Sequence, residues 1–283
     1  MRLAVALLLA VLLLAAPAAS GQSARTAALQ VALRATGDYA GTVDGVRGPM
    51  TAAAIRRFQS RRGLAADGIA GPRTRRALGR RGRPGIGRRV LRQGMRGWDV
   101  GGLQWLLARH GFPSGTMDGG LGPRTDGALR RFQAWSGLGA DGLAGPATLA
   151  RLRSAPPASP LIFAPPLPIA PTDRFGPRGD RFHTGLDYPA ASGTRVAAAG
   201  RGCVTFAGWD PGGYGKLVIV GHRMGMTSYY AHLSRIGVSR GTCVVAGNTV
   251  GRVGTTGNST GPHLHFELRL RGAAIDPLTA LRR

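Results

Sequence analysis

The chain has 283 residues, of which 38 are basic and 13 acidic, and its formal net charge is +25. A hydrophobic fraction of 43% with 18% charged residues excludes disorder throughout the chain, and two cysteines exclude a disulfide-dense scaffold. Glu267 is the only glutamate, which excludes a helical His-Glu-x-x-His protease site and a pair of catalytic glutamates.

The positive charge comes almost entirely from arginine, because Lys216 is the only lysine. A compositional bias toward Arg, Ala, Gly and Pro explains the excess without a function, whereas attraction to an anionic polymer explains it functionally. Nucleic-acid binding is disfavoured, because aromatic residues make up only 6% of the chain and the amino terminus predicts export.

The first predicted element is a secretory signal peptide over residues 1–20. Arg2 precedes an apolar run from Leu3 to Ala16, and small residues follow this run. The run is shorter than the roughly 20 residues that a membrane-spanning helix needs. An uncleaved anchor is the alternative. We therefore expect an exported protein that has no membrane segment after cleavage.

An internal repeat with an offset of 74 residues follows. Apolar spacing and turn signals predict three short helices in each copy, with copy one over residues 24–79 and copy two over residues 90–153. The dipeptides that recur at this offset are Leu29-Gln30 and Leu103-Gln104, Asp44-Gly45 and Asp118-Gly119, Gly48-Pro49 and Gly122-Pro123, Phe58-Gln59 and Phe132-Gln133, and Asp67-Gly68 and Asp141-Gly142.

These motifs as a set resemble the peptidoglycan-binding domain, a three-helix module found in many cell-wall hydrolases. The second copy also has the lead-in Leu91-Arg92-Gln93-Gly94, which the first copy lacks. The resemblance implies two modules that bind peptidoglycan. The alternative is a helical spacer without affinity for a ligand.

Two linkers separate the predicted modules. Arginine alternates with Gly and Pro over residues 80–89, which predicts a flexible cationic linker. Residues 154–172 are rich in proline, which predicts an extended and semi-rigid spacer, although Leu161, Ile162 and Phe163 could pack on a neighbouring domain.

Residues 173–283 have short alternating apolar runs separated by glycine-rich turns, which predict an all-β domain. His183 and Asp187 have an even spacing around Gly185, and the alternation in His263-Leu-His265 directs both imidazoles to one face of a strand. Neutral imidazoles with a carboxylate suit zinc and leave a coordination position open for water. His232 is a further candidate from a separate strand end.

This region resembles the lysostaphin-type zinc endopeptidases over roughly Asp173 to Leu281. The resemblance implies an antiparallel sheet of the duplicated-hybrid-motif type, one Zn²⁺ held by His183, Asp187 and His265, and the two catalytic histidines His232 and His263. We expect His263 to act as general base and His232 to assist the oxyanion or the leaving amine, although the roles could be exchanged. The segments that carry the resemblance are Arg174-Phe175-Gly176-x-Arg178, His183-Thr184-Gly185-Leu186-Asp187, Gly212-Gly213-Tyr214-Gly215, Tyr230-Ala231-His232-Leu233-Ser234 and Gly261-Pro262-His263-Leu264-His265-Phe266-Glu267.

The other polar residues of this region receive structural or supporting interpretations. We expect Glu267 to orient a metal ligand, since it shares a strand face with His265. For Tyr214 and Tyr230, the sequence leaves two roles open, contact with substrate and packing in the β core. His110 and His222 are expected to be structural.

Cys203 and Cys243 both begin predicted strands of an exported protein, so we expect a disulfide between them. Soft zinc ligation is the alternative, and it is disfavoured because the His/Asp set is complete without them.

The combined interpretation is a multidomain protein, α then β, that acts as a secreted zinc endopeptidase on peptidoglycan stem peptides or cross-bridges. Peptidoglycan is the expected partner, with anionic wall polymers as a further candidate. The alternative is a non-catalytic wall-binding protein that activates another cell-wall hydrolase.

Overall fold

The computed structural model of the protein describes residues 22–82 and 84–282, so the predicted signal peptide at residues 1–20 lies outside the described residues. Helices occupy the amino-terminal part and antiparallel strands the carboxy-terminal part, as the sequence predicts. Within the described ranges, no helix has the length and apolarity needed to cross a bilayer.

Each repeat folds as three helices. Four of these helices begin with a proline in the first turn, directly after a glycine, where the missing proline N–H costs no intrahelical bond. The first repeat contains α1 (Ala24–Ala35), α2 (Pro49–Arg61) and α3 (Pro72–Ala77), and the second contains α4 (Trp98–Arg109), α5 (Pro123–Trp135) and α6 (Pro146–Leu152).

A buried glutamine stabilises each Asp-Gly turn of the repeats. Gln104 Nε2 donates to Asp118 Oδ1 at 2.9 Å and to Thr125 Oγ1 at 3.2 Å, while Gln104 Oε1 accepts from the Gly119 backbone N–H at 2.8 Å. The recurrence of Leu-Gln and Phe-Gln in the sequence therefore reflects one hydrogen-bonding pattern that is used four times. The other glutamines with this pattern are Gln30, Gln59 and Gln133.

Both repeats have apolar cores. Phe58 and Phe132 are buried in the cores of the first and second repeats, respectively. The first repeat is folded although it lacks the lead-in sequence of the second.

The β domain consists of three antiparallel sheets. The largest has the strand order β12-β11-β7-β6-β5-β9, with β3 also paired to β11, and the smaller ones are β4-β10-β8 and β1-β2. The strands are β1 (Gly176–Arg178), β2 (Arg181–His183), β3 (Leu186–Pro189), β4 (Arg195–Ala197), β5 (Gly202–Asp210), β6 (Gly215–Gly221), β7 (Met226–Ala231), β8 (Arg235–Ile236), β9 (Cys243–Val244), β10 (Thr249–Arg252), β11 (His263–Leu270) and β12 (Ala273–Ile275).

The second half of the proline-rich segment packs on the β domain. Phe163 lies in the apolar core with 2% exposure, and the Ala164 N–H donates to the carbonyl oxygen of Ala199 at 2.7 Å. For this part of residues 154–172, the structure therefore shows the alternative that the sequence left open, in which Phe163 packs on a neighbouring domain. The apolar side chain of Phe163 packs in the core of the β domain, so this part of the segment is attached to the domain and is not a free spacer.

The predicted disulfide is present between Cys203 of β5 and Cys243 of β9. The two residues pair directly across the antiparallel strands, and β9 is the edge strand of the large sheet. The disulfide therefore attaches a two-residue edge strand to the body of the domain.

Candidate metal centre and active site

Three strands bring the predicted metal ligands together. His183 ends β2, while Asp187 of β3 lies directly opposite His265 of β11 in the antiparallel register. Gly185 permits this approach, because a Cβ at that position would lie 2.3 Å from the carbonyl oxygen of Phe266. The strand pairing therefore joins residues that are about 80 positions apart in the sequence.

The ligand atoms form a nearly equilateral triangle. His183 Nε2 lies 3.1 Å from Asp187 Oδ1 and 3.1 Å from His265 Nδ1, and His265 Nδ1 lies 2.8 Å from Asp187 Oδ1. Two ligands of a tetrahedral zinc ion with bonds of about 2.0 Å are about 3.3 Å apart. The spacing therefore fits zinc held by three protein atoms.

The hydrogen bonds on the far side of each imidazole fix where its proton lies. His183 Nδ1 donates to the carbonyl oxygen of Arg174 at 3.0 Å, and His265 Nε2 donates to Glu267 Oε1 at 2.9 Å. In the neutral form that metal ligation requires, the rings direct lone pairs from His183 Nε2 and His265 Nδ1 at each other and at a carboxylate oxygen. Three converging lone pairs repel one another unless a cation lies between them, which makes this a fitting donor set for a metal ion.

Glu267 supports the candidate metal ligand His265 from a buried position. Its side chain is completely buried and accepts hydrogen bonds from Thr184 Oγ1, from Tyr214 OH at 2.7 Å and from Arg269 Nε at 2.6 Å. Burial alone would raise the pKa of Glu267, but Arg269 and His265 hold it well below its usual range. Glu267 is therefore a carboxylate, and the interpretation of this residue as a support for a ligand agrees with its contacts.

The surroundings of the triangle favour positive charge. Burial alone would lower the pKa of His265, but hydrogen bonds to Asp187 and Glu267 raise that pKa to about 9. Burial likewise opposes ionisation of Asp187, yet hydrogen bonds to His183 and His265 hold its pKa well below the usual range. The electrostatic field at the triangle consequently stabilises a bound cation.

The two predicted catalytic histidines lie beside the triangle. The rings of His232 and His263 are 4.8 Å apart between centroids, and His263 Nε2 is 3.9 Å from Asp187 Oδ1. His232 Nδ1 donates to the carbonyl oxygen of Thr256 at 2.8 Å, and His263 Nδ1 donates to that of Gly261 at 2.8 Å. In the neutral state each ring therefore presents a lone pair at Nε2, where it can accept a proton.

His232 is held in an unusual backbone conformation and in its neutral form. Its φ is 59°, in the left-handed region that a non-glycine residue seldom adopts. Burial lowers the pKa of His232 to about 4. Donation to an oxyanion needs a protonated Nε2, so the low pKa favours a hydrogen-bond acceptor role over the oxyanion role expected from the sequence.

Family models match both the helical part and the β domain of the chain. Residues 181–277 match the family model of Peptidase family M23, and residues 22–78 and 96–152 match the model of the peptidoglycan binding domain. The chain contains a peptidase family M23 domain. Two peptidoglycan-binding domains precede it.

Curated relatives match about a third of the chain. DD-carboxypeptidase/endopeptidase Mpg of Neisseria meningitidis serogroup B is 46% identical over 99 residues, which are 35% of this chain and 23% of Mpg. Peptidoglycan DD-endopeptidase ShyA of Vibrio cholerae is 38% identical over 98 residues, again 35% of this chain and 23% of the relative. The chain thus spans less than a quarter of the length of these relatives.

Among solved structures, the catalytic domain of the antimicrobial peptidase lysostaphin from Staphylococcus simulans is similar at 33% identity. The match has a TM-score of 0.34 and covers 41% of this chain and 86% of the lysostaphin chain.

Two arginines of the peptidase domain were missed as supporting residues. Arg178 Nη2 donates to Asp187 Oδ2 at 2.7 Å, on the side away from the ligand atom Oδ1. Arg269 pairs with Glu267 and also donates to Tyr214 OH at 2.7 Å. Arg178 belongs to a motif that carries the family resemblance, and Arg269 lies two residues after Glu267 on the same strand face of β11. The sequence therefore drew attention to both positions, but it did not indicate which residues they contact.

The remaining candidates lie outside the triangle. Tyr230 is buried in the core, where its hydroxyl accepts from the Ala199 N–H, and Tyr214 packs behind His265 against Glu267. His110 Nε2 bonds to the carbonyl oxygen of Leu152, and His222 bonds to Arg201 and Ser228. Core packing thus accounts for Tyr230, and backbone contacts account for His110.

Proposed function

We propose that the protein is an exported, zinc-dependent endopeptidase that hydrolyses peptide bonds in peptidoglycan and binds the wall through its two repeats. The observation that carries this proposal is the convergence of three lone pairs from His183, Asp187 and His265 beside two further imidazoles. The names of the curated relatives, a DD-carboxypeptidase/endopeptidase and a peptidoglycan DD-endopeptidase, support the substrate class.

The ligand atoms for zinc in this proposal are His183 Nε2, Asp187 Oδ1 and His265 Nδ1. When bound, zinc supplies a Lewis acid that acidifies water and polarises the scissile carbonyl. His263 Nε2 accepts the proton of the attacking water and passes it to the leaving amine nitrogen as the carbon–nitrogen bond breaks. His232 Nε2, kept neutral by burial, orients the water or a substrate N–H as an acceptor.

The repeats provide the second half of the proposal. Two modules on one chain raise the local concentration of the peptidase at the wall, even when each contact is weak. The net charge of +25 adds attraction to anionic wall polymers, and this contribution weakens with added salt. The protein then acts in the cell envelope or outside the cell.

The test is peptide release from purified peptidoglycan by wild type and by His265→Ala, each with a chelator and after zinc is restored. We expect new amino termini from wild type with zinc, none from His265→Ala, and a reversible loss with the chelator. His263→Gln serves as a matched variant that should bind zinc and release nothing. If wild type with bound zinc releases no peptide from several wall types, the non-catalytic activator replaces this proposal.

A further inference from the structure

The hairpin that carries His183 has little support of its own. Strands β1 and β2 have three residues each and form a separate two-stranded sheet, and among residues 22–82 and 84–282 this sheet is not paired with the larger ones. An isolated two-stranded hairpin is at best marginally stable in water. The position of His183 therefore depends on contacts from outside the hairpin.

The two repeats supply such contacts at the turn of the hairpin. The backbone N–H of Val43 donates to the carbonyl oxygen of Gly179 at 2.8 Å, and that of Met117 donates to the carbonyl oxygen of Asp180 at 2.7 Å. Val43 and Met117 occupy equivalent positions of the two repeats, separated by the same offset of 74 residues. Each repeat thus uses the same backbone donor on one of two successive carbonyls.

These donors are held firmly. Val43 has 0% exposure and Met117 has 3%, and both belong to an apolar cluster that joins the two repeats. Arg34 of the first repeat adds an ion pair to Asp180, with 3.5 Å between Nε and Oδ2. The hairpin turn is consequently clamped between the repeats by groups that have little freedom to move.

The turn at Gly179 and Asp180, which the repeats contact, lies next to the proposed metal ligands in the sequence and in space. Arg178 precedes the turn and bonds to Asp187 Oδ2, and it also pairs with Asp173. Asp187 Oδ1 is left to face the other ligand atoms. His183 follows the turn by three residues, so a displacement of the turn moves a ligand and the partner of another ligand together.

We propose that the tandem repeats are positioning elements of the metal site, in addition to their role at the wall. By holding the turn at Gly179 and Asp180, they keep Arg178 and His183 in the geometry that binds zinc. The inference rests on the proposed zinc site. The full chain should therefore bind zinc more tightly than a variant in which the repeats no longer contact the turn at Gly179 and Asp180.

The experiment inserts two glycines between Gly179 and Asp180 in the full chain, which moves the two carbonyls away from their donors. The matched control inserts two glycines between Arg240 and Gly241, at an exposed turn of the β domain. Zinc dissociation constants are measured by competition with a chromophoric chelator, and backbone amide exchange is followed over residues 176–183.

We expect the first insertion to weaken zinc binding by about 10-fold or more, as for loss of a group that orients a metal ligand. Exchange over residues 176–183 should accelerate, while the control matches wild type in both measurements. Faster exchange with an unchanged dissociation constant overturns the inference, and so does unchanged exchange. Failure of wild type to bind zinc at all would instead defeat the proposed function.

A milder variant guards against misfolding of the insertion. Asp180→Asn removes the ion pair to Arg34 and retains the backbone contacts. A partly exposed ion pair contributes about 0.2–1 kcal/mol, so zinc binding should weaken by about 1.5- to 5-fold. Asp180→Asn with wild-type zinc affinity and faster exchange over residues 176–183 would also count against the inference.

Discussion

Replacement of Glu267 by glutamine tests the support behind His265. In the protein, Glu267 Oε1 accepts from Thr184, Tyr214 and His265, and Oε2 accepts from Arg269. A glutamine oxygen can keep the first three bonds, but its amide nitrogen then faces the N–H of Arg269. Glu267→Gln therefore removes a buried charge and also creates a contact between two donors.

The structure sets the size of the effect. Removal of one partner from a buried ion pair costs about 3–5 kcal/mol. Arg269 is 22% exposed at its side chain and keeps its bond to Tyr214 and its position over the Tyr229 ring at 4.4 Å. We therefore expect the free energy of unfolding to fall by about 2–3 kcal/mol. Zinc affinity should fall by about 10- to 100-fold, because His265 loses its carboxylate partner.

Denaturant unfolding and zinc competition measure these two quantities separately. The double variant Glu267→Gln with Arg269→Met removes the uncompensated positive charge, so stability should partly recover while zinc affinity stays low. The reasoning is refuted if Glu267→Gln unfolds within about 0.5 kcal/mol of wild type and binds zinc within about 2-fold. Recovery of zinc affinity in the double variant would show that Arg269, and not the carboxylate, limits binding.

Two further predictions concern stability. Replacement of Cys203 and Cys243 by serine opens a cross-link between residues 40 positions apart, and should lower the free energy of unfolding by about 4 kcal/mol in the loop-entropy account. Guanidinium unfolding measures this loss, and two reactive thiols in the native protein would contradict it. The pKa of His232 is about 4 in the folded protein, below its unfolded value of about 6.5. Its contribution to the free energy of unfolding is therefore complete above about pH 6.5, and it is lost progressively as the pH falls toward 4. Between pH 7 and pH 5 in the presence of a chelator, the free energy of unfolding of wild type should fall by about 2 kcal/mol more than that of His232→Gln. Equal losses in the two proteins would disprove the lowered pKa of His232.

Local patterns were sufficient for much of the architecture. The recurrence of Leu-Gln, Asp-Gly and Gly-Pro predicted two copies of a helical module, and in both copies a glutamine bonds to each Asp-Gly turn and each recurring Gly-Pro pair begins a helix. Period-two alternation correctly directed His263 and His265 to one strand face. The starts of two predicted strands likewise held the cysteines that form the disulfide.

The proline-rich segment shows what local patterns leave undecided. Proline density predicts an extended chain, but it contains no information on whether Phe163 has an apolar partner elsewhere. The pairing of Phe163 with the core depends on the assembled β domain. The same limit applies to Arg178, whose bond to Asp187 exists only after β3 has paired with β11.

The sequence by itself determined the repeat, the order of helical and β domains, and the residue types of the proposed metal site, because these are encoded within short windows. Only the tertiary structure decided that equivalent backbone amides of the two repeats hold the turn beside His183. A backbone N–H has no side-chain identity that a motif can record, and Val43 and Gly179 are brought together only when both domains are folded.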